Sequence, residues 1–128
     1  MENADKPVQR NILICNFGDW GFMDRRDPSD AQCYNQQAEI IKEHLDNEFS
    51  VTVITERPQS ADDYEQYSGV IFLTRGELET AIEVKHMCQN TSVIVLTGAP
   101  SPSERGVTII DKDFRCNFLE KIVETFQQ

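Results

Sequence analysis

The chain has 128 residues, enough for one domain, and hydrophobic residues make up 39% of it, which supports a modest core. Its formal net charge is −10 at pH 7, and so acidic a surface repels nucleic-acid phosphates and anionic lipid headgroups. We therefore expect neither nucleic acid nor a membrane as a partner. A protein partner with a basic surface fits this charge better.

The chain begins with a polar segment, residues 1–10, which we predict to be a flexible lead-in to a single domain at residues 11–128. The segment lacks the apolar core of a signal peptide. No later stretch is long and apolar enough to predict a membrane span. These features predict a cytoplasmic protein.

The first strand is predicted at Asn11–Cys15, a short apolar run typical of strands that helices bury on both faces. A helix is predicted over residues 29–47, because Ala38, Ile41 and Leu45 recur there at helical spacing. The remaining strands are similar short runs rich in Val and Ile. They are Val51–Thr55, Gly69–Thr74, Ser92–Thr97 and Val107–Ile110.

Three further helices are predicted between and after these strands. Ser60 with Asp63 resembles a capping box that opens a short helix. Glu77–Gln89 and Asp113–Phe126 each carry an apolar stripe at helical spacing. The predicted buried positions are Leu78, Ala81, Ile82, Lys85 and Cys88 in the former, and Phe114, Phe118, Leu119, Ile122 and Phe126 in the latter.

The segment between the last two strands breaks this alternation. It reads GAPSPSERG over residues 98–106, and its prolines and glycines exclude a regular helix. The order is therefore strand–helix three times, followed by strand–strand–helix. Such alternation predicts an α/β domain with a parallel sheet and right-handed crossovers.

The cysteines and histidines give no sign of a metal site. The four cysteines are far apart in sequence, so we expect free thiols and neither disulfides nor zinc. His44 and His86 stand alone in helical segments and are expected to be ordinary surface or packing residues. The cysteines are Cys15, Cys33, Cys88 and Cys116.

Four segments resemble the strands of bacterial response-regulator receiver domains. VIVLTG at Val93–Gly98 is similar to their fourth strand, which ends in Thr or Ser, and IIDKDF at Ile109–Phe114 is similar to their fifth, which ends in Lys. SVTVITE at residues 50–56 and YSGVIFLT at residues 67–74 resemble the second and third strands. The resemblance covers about residues 10–127. It implies a flavodoxin-like three-layer sandwich with a parallel sheet of order 2-1-3-4-5, here with the family's fourth helix missing or reduced.

The resemblance also implies where the family's chemistry would be. Receivers accept a phosphoryl group on an Asp at the end of the third strand, and an acidic pair after the first strand holds Mg²⁺. A Thr or Ser and a Lys contact the phosphoryl oxygens. A carboxylate is the nucleophile there, while the dication and the ammonium offset the charge of the transferring group.

This sequence departs from the family at the decisive positions. Cys15 and Asn16 align with the acidic pair, and Leu73 or Thr74 aligns with the acceptor. Because none of them is a carboxylate, we expect no bound metal, no cofactor and no enzymatic activity. The resemblance thus implies a pseudo-receiver, a signalling module that is not phosphorylated and acts through protein–protein contact.

Two of the family's phosphate-contacting residues are retained. Thr97 and Lys112 match the Thr and Lys motifs, and Arg75 follows the acceptor position, so these three are candidates for a residual anion contact. A homodimer is compatible with the family. However, the curtailed fourth helix argues against the dimer mode that receivers often use.

The loop after the first strand is longer than in the family. It carries aromatic residues, a methionine and two arginines, which are favoured at interface hot spots. We consider two interpretations: a partner-binding patch, or aromatic side chains that cap the carboxyl edge of the sheet. A metal loop of Asp19, Asp24, Asp27 and Asp30 does not fit EF-hand spacing. The candidate partner-binding residues are Phe17, Trp20, Phe22, Met23, Arg25 and Arg26, within the segment Phe17–Pro28.

A second function remains open from the sequence. The carboxyl edge of a parallel sheet often binds nucleotides or flavins, so the alternative is a small-ligand-binding flavodoxin-like domain. No G-x-G-x-x-G motif or P-loop follows Ile14. A glutamine amidotransferase is not expected, because Cys88 lies inside a predicted helix and no histidine follows it.

Overall fold

The structure is a computed structural model that describes residues 10–16, 28–56, 58–74, 77–97, 105–111 and 118–127. These residues form five strands, three α-helices and one short 3-10 helix. In chain order they are β1 (Arg10–Cys15), α1 (Pro28–Leu45), β2 (Phe49–Ile54), the 3-10 helix (Ala61–Tyr64), β3 (Gly69–Phe72), α2 (Leu78–Met87), β4 (Ser92–Thr97), β5 (Thr108–Asp111) and α3 (Phe118–Gln127).

The five strands form one parallel sheet in the order β2-β1-β3-β4-β5. This confirms the predicted flavodoxin-like order and the α/β class. All four residues of the central strand β3 are buried, as expected for a strand covered by helices on both faces.

Helices cover the sheet on two sides and give three layers. On one face α1 and α3 pack against a cluster that includes Ile41, Ile71 and Ile122. On the other face α2 and the 3-10 helix pack against a cluster that includes Phe72 and Val95. Alternation along each strand sends neighbouring side chains to opposite clusters.

Several element boundaries differ from the prediction. β3 ends at Phe72, because Thr74 O accepts a hydrogen bond from Glu77 N at 3.0 Å and the chain turns there. The predicted short helix after Ser60 is a 3-10 helix, with Asp63 N donating to Ser60 O at 3.1 Å. β1 begins at Arg10, one residue earlier than predicted.

The buried face of α2 is rotated from the predicted one. Ala81, Val84 and Cys88 are buried, whereas Ile82 and Lys85 are half-buried. Val84 was missed because Ile82 and Lys85 made an equally good helical stripe with Ala81. α3 begins at Phe118, and its buried residues Phe118, Ile122 and Phe126 match the predicted stripe; the predicted helical residues 113–117 lie outside the described part of the chain.

The connection between β4 and β5 is described over residues 105–107, which are not helical. It ends in a turn in which Arg105 has φ 49° and Gly106 has φ 84°, two consecutive left-handed residues that lead the chain into β5. The structure is thus consistent with a reduced fourth helix over these residues; residues 98–104 lie outside the described ranges. None of the described helices is long and apolar enough to cross a membrane.

Candidate functional site

β1 ends in Cys15, followed by Asn16, at the two positions where the receiver resemblance implies an acidic pair. Cys15 is buried and belongs to the cluster under α2. Asn16 is 8% exposed; its backbone N donates to Ile54 O at 2.9 Å, and its Nδ2 donates to Asn35 Oδ1 of α1 at 2.7 Å. The side chain of Asn16 is therefore held by a neutral partner, toward the α1 face of the sheet.

The end of β3 is apolar at Leu73, one of the two positions that align with the phospho-acceptor, and the other position, Thr74, is half-buried. Cys15 pairs with Phe72 in the β1–β3 register. The next residues, Asn16 and Leu73, therefore lie side by side at the carboxyl edge of the sheet. Leu73 is 1% exposed and packs in the cluster under α1 and α3. A buried leucine side chain has no lone pair with which to attack phosphorus or bind a cation.

Glu77 is the acid closest in sequence to the end of β3, and it is fully buried at the start of α2. Its backbone N donates to Thr74 O, which forms the turn into the helix. A carboxylate at a helix N-terminus interacts favourably with the helix dipole. This interaction offsets part of the cost of burying an acid there.

Thr97, a candidate anion contact, lies at the end of β4 and is buried. In the register of the sheet it pairs with Asp111 of β5. Neighbouring residues in register point to the same face, so the residue beside Thr97 is a carboxylate. A negative charge there opposes the binding of a phosphate or another anion at Thr97.

The remaining predicted site residues lie outside the described ranges. They include two of the three candidates for an anion contact and all of the candidate partner-binding residues. Their roles stay predictions. They are Arg75, Lys112, Phe17, Trp20, Phe22, Met23, Arg25 and Arg26.

The described residues at this edge offer few ligands for a metal ion. No group of three or more His, Cys, Asp or Glu side chains in the described part of the chain is arranged to hold a metal. Among the described residues, those at the ends of β1 and β3 carry thiol, amide and apolar side chains. Mg²⁺ binds through carboxylate oxygens and water in proteins, and Asn16 and Leu73 provide no carboxylate.

Sequence analysis missed two residues of this edge, Asn35 and Asp111. A signal for Asn35 existed, because it lies three residues before Ala38 and therefore on the same side of α1 as the buried stripe, although Asn35 itself is exposed. Asp111 was read as part of the lysine motif, and its position opposite Thr97 depends on the register of β4 and β5. Register between distant strands is not visible in a single sequence.

Two solved structures are similar to this one. A response regulator from Thermotoga maritima superposes with a TM-score of 0.62 at 14% identity, covering 94% of this chain and 100% of that chain. The BeF3-activated DrrB receiver domain gives a TM-score of 0.56 at 12% identity, again over 94% and 100%. The chain therefore has a receiver-like fold. No family model and no curated protein sequence matches it.

Proposed function

We propose that the chain is a pseudo-receiver, a signalling module that keeps the receiver fold, takes no phosphoryl group and works through contact with another protein. The observation that carries the proposal is the pair of neighbouring strand ends. Asn16 is bound to Asn35, and Leu73 is buried in the core. Neither is a carboxylate.

Phosphoryl transfer to a protein carboxylate needs groups that these strand ends lack. The nucleophile must carry an available oxygen, and a dication must offset the charge on the transferring group. Leu73 supplies no oxygen, Thr74 supplies a hydroxyl and not a carboxylate, and an amide pair is a weak substitute for two carboxylates as a magnesium ligand. Phosphoryl transfer therefore has no carboxylate nucleophile at these strand ends.

A module without this switch acts through its surface. The net charge of −10 favours association with a basic partner surface. The aromatic and arginine residues of segment 17–28 have the composition of an interface hot spot. We propose this segment as a partner-binding surface, with Trp20 and Phe22 as its main anchors.

Phosphorylation chemistry tests the proposal directly. The full chain is incubated with acetyl phosphate and Mg²⁺ and analysed by intact-mass spectrometry, beside a receiver domain that keeps its acceptor Asp as the positive control. We expect no added phosphoryl group on this chain and full labelling of the control. A phosphorylated carboxylate at Glu77, or anywhere else in the chain, would overturn the proposal.

Affinity capture tests the partner surface. We expect Trp20→Ala and Phe22→Ala to lose the captured partner, whereas the control Ile40→Ala, which removes an exposed apolar side chain from α1, keeps it. Thermal unfolding separates the two interpretations of the segment. Unchanged stability with partner loss supports a binding patch, whereas lower stability with the partner retained would mean that the aromatic residues cap the sheet.

A further inference from the structure

β2 is an edge strand of the sheet that the described residues form, and its neighbour in that sheet is β1. Each residue of β2, Phe49–Ile54, is in continuous register with a residue of β1. An edge strand has a second row of backbone N–H and C=O groups that can pair with another chain. The side of β2 that faces away from β1 is therefore a candidate interaction surface, which we call the β2 edge.

A hydrogen bond at the end of β1 shows which backbone groups of β2 face outward. Ile54 O accepts from Asn16 N at 2.9 Å, so the backbone groups of Ile54 point toward β1. The direction of these groups alternates along a strand. Those of Thr52 therefore also point toward β1, whereas those of Val51 and Val53 point away from it and belong to the β2 edge.

β2 lacks the features that protect many edge strands from pairing with another chain, which are charged side chains, proline and bulges. The strand reads FSVTVI, without a charged residue, proline or glycine. Val51 and Val53 pack on the α1 side of the sheet, and on the other side Ser50 and Thr52 are exposed. The opposite edge strand, β5, has four residues and ends in the charged Asp111. β2 is thus the less protected edge.

We propose that the β2 edges of two copies of the chain pair in antiparallel fashion about a twofold axis at Val51, which joins the two sheets into one. In this register Val51 meets the partner's Val51, and Phe49 meets the partner's Val53. These pairs exchange hydrogen bonds through their outward backbone groups. Beside them, Ser50 meets the partner's Thr52. Aromatic with β-branched residues and Thr with Ser are favourable cross-strand pairs.

The charges that flank β2 favour this register over its nearest alternative. Glu48 and Glu56 are exposed and lie beyond the two ends of the strand. With the axis at Thr52, Glu48 would face the partner's Glu56 at both ends of the interface, and like charges directly opposite each other are unfavourable. With the axis at Val51, Glu48 faces the partner's Ile54 and Glu56 lies beyond the paired strand. Registers that are shifted further pair fewer residues of β2.

The net charge of the chain opposes this association. Each copy carries a formal charge of −10, and salt screens the repulsion between the copies, whereas β2 itself is uncharged. A single pair of strands is also a small interface. We therefore expect a weak dimer that tightens with rising salt, unlike an association held by opposite charges. The inference goes beyond the proposed function, because it names a second copy of the chain as a partner, and phosphorylation of the chain would leave it standing.

Sedimentation velocity measures the assembly state of the full chain over a concentration series at low and high NaCl. We expect a monomer–dimer equilibrium with a smaller Kd at high salt. Two results would overturn the inference: a chain that stays monomeric up to about 1 mM, where even weak specific complexes form, or a dimer that weakens as salt rises.

Two double variants of exposed residues test the register. Ser50→Lys with Thr52→Lys places lysine opposite lysine across the axis, whereas Ser50→Lys with Thr52→Glu places lysine opposite glutamate. We expect the first variant to form the weaker dimer, with Kd values that differ by about tenfold. Net charge alone would give the opposite order, because two added lysines make the chain less acidic. That opposite order, or equal Kd values, would contradict the proposal, and thermal unfolding checks that both variants are folded.

Amide hydrogen exchange, followed residue by residue by NMR, tests the β2 edge without any substitution. The amides of Val51 and Val53 should exchange rapidly in the dilute monomer and become protected as the dimer forms. Those of Thr52 and Ile54, which face β1, are the control and should be protected at every concentration. Protection of Val51 and Val53 in the monomer would mean that a segment of the same chain covers the edge, and the proposed dimer would then be wrong.

Discussion

The amino-terminal and carboxyl-terminal ends of the central strands β1 and β3 are held by different kinds of contact. At the amino-terminal end, the ring of Phe126 from α3 covers Gly69, and the guanidinium of Arg10 donates to Phe126 O. At the carboxyl-terminal end, the amide of Asn16 is bound to Asn35. The amino-terminal end is held by close apolar packing and by the hydrogen bond from Arg10 to the end of α3. The carboxyl-terminal end is held by a hydrogen bond between two amide side chains.

Packing at the amino-terminal end leaves little freedom for change. Phe126 also meets the ring of Phe49 edge-on, with centroids 6.0 Å apart, a favourable arrangement for aromatic pairs. A cation on the last carbonyls of α3 interacts favourably with the helix dipole. We therefore expect the fold to depend on this end more than on the carboxyl-terminal end.

The difference indicates that a receiver-like fold does not depend on carboxylates at the ends of β1 and β3. Carboxylates at the ends of β1 and β3 contribute repulsion and hydration, not core packing. This chain has an amide and a leucine at those positions, and Phe126 still packs over Gly69 at the amino-terminal end. A receiver-like sheet can thus form without carboxylates at the ends of β1 and β3.

The largest expected effect comes from removing the Phe126 ring. Phe126→Ala should destabilise the chain by about 3–5 kcal/mol, because it leaves a cavity over Gly69 and beside Phe49. Urea unfolding followed by circular dichroism measures the loss. Phe118→Ala is the matched control, since Phe118 is equally buried at the opposite end of α3. A larger loss of stability from Phe118→Ala would contradict the expectation that the amino-terminal end contributes more to the fold.

The next effect comes from adding a single methyl group at Gly69. An alanine Cβ would lie 2.4 Å from Phe126 Cε1, so Gly69→Ala should destabilise the chain by about 1–3 kcal/mol through overpacking. The neighbouring Ser68→Ala is the control, because Ser68 is exposed. Combining Gly69→Ala with Phe126→Leu should cost less than the sum of the two losses. Additive losses would mean that the ring does not limit this position.

The sequence predicted the strands better than it predicted the contacts at the two ends of β1 and β3. Short apolar runs such as Ser92–Thr97 predicted strands closely, because strands buried on both faces leave a clear pattern. The close approach of Gly69 to Phe126 was not predictable, since it joins residues far apart in the chain. The identity of the residues at the strand ends followed from the receiver resemblance, whereas the bond from Asn16 to Asn35 depends on how α1 packs.

A smaller effect is expected at the carboxyl-terminal end. Asn16→Ala removes the hydrogen bond to Asn35 and should destabilise the chain by about 1 kcal/mol. Asn35→Ala should cost a similar amount, and the double variant should lose little more than either alone. Urea unfolding of the four chains completes the cycle. A loss at Asn16 as large as that at Phe126 would mean that this end also holds the fold together.

The smallest effect should come from Gln127, which lies at the amino-terminal end but on its surface. Its Nε2 donates to Glu48 Oε2 at 3.1 Å, and both residues are exposed. Water replaces such a bond readily, so Gln127→Ala should change the free energy of unfolding by less than about 0.5 kcal/mol. The same urea titration detects the change. A small value there, beside a large one at the adjacent Phe126, would assign the strength of this end to the packed ring. A large value would assign it to the polar contacts around the end of α3.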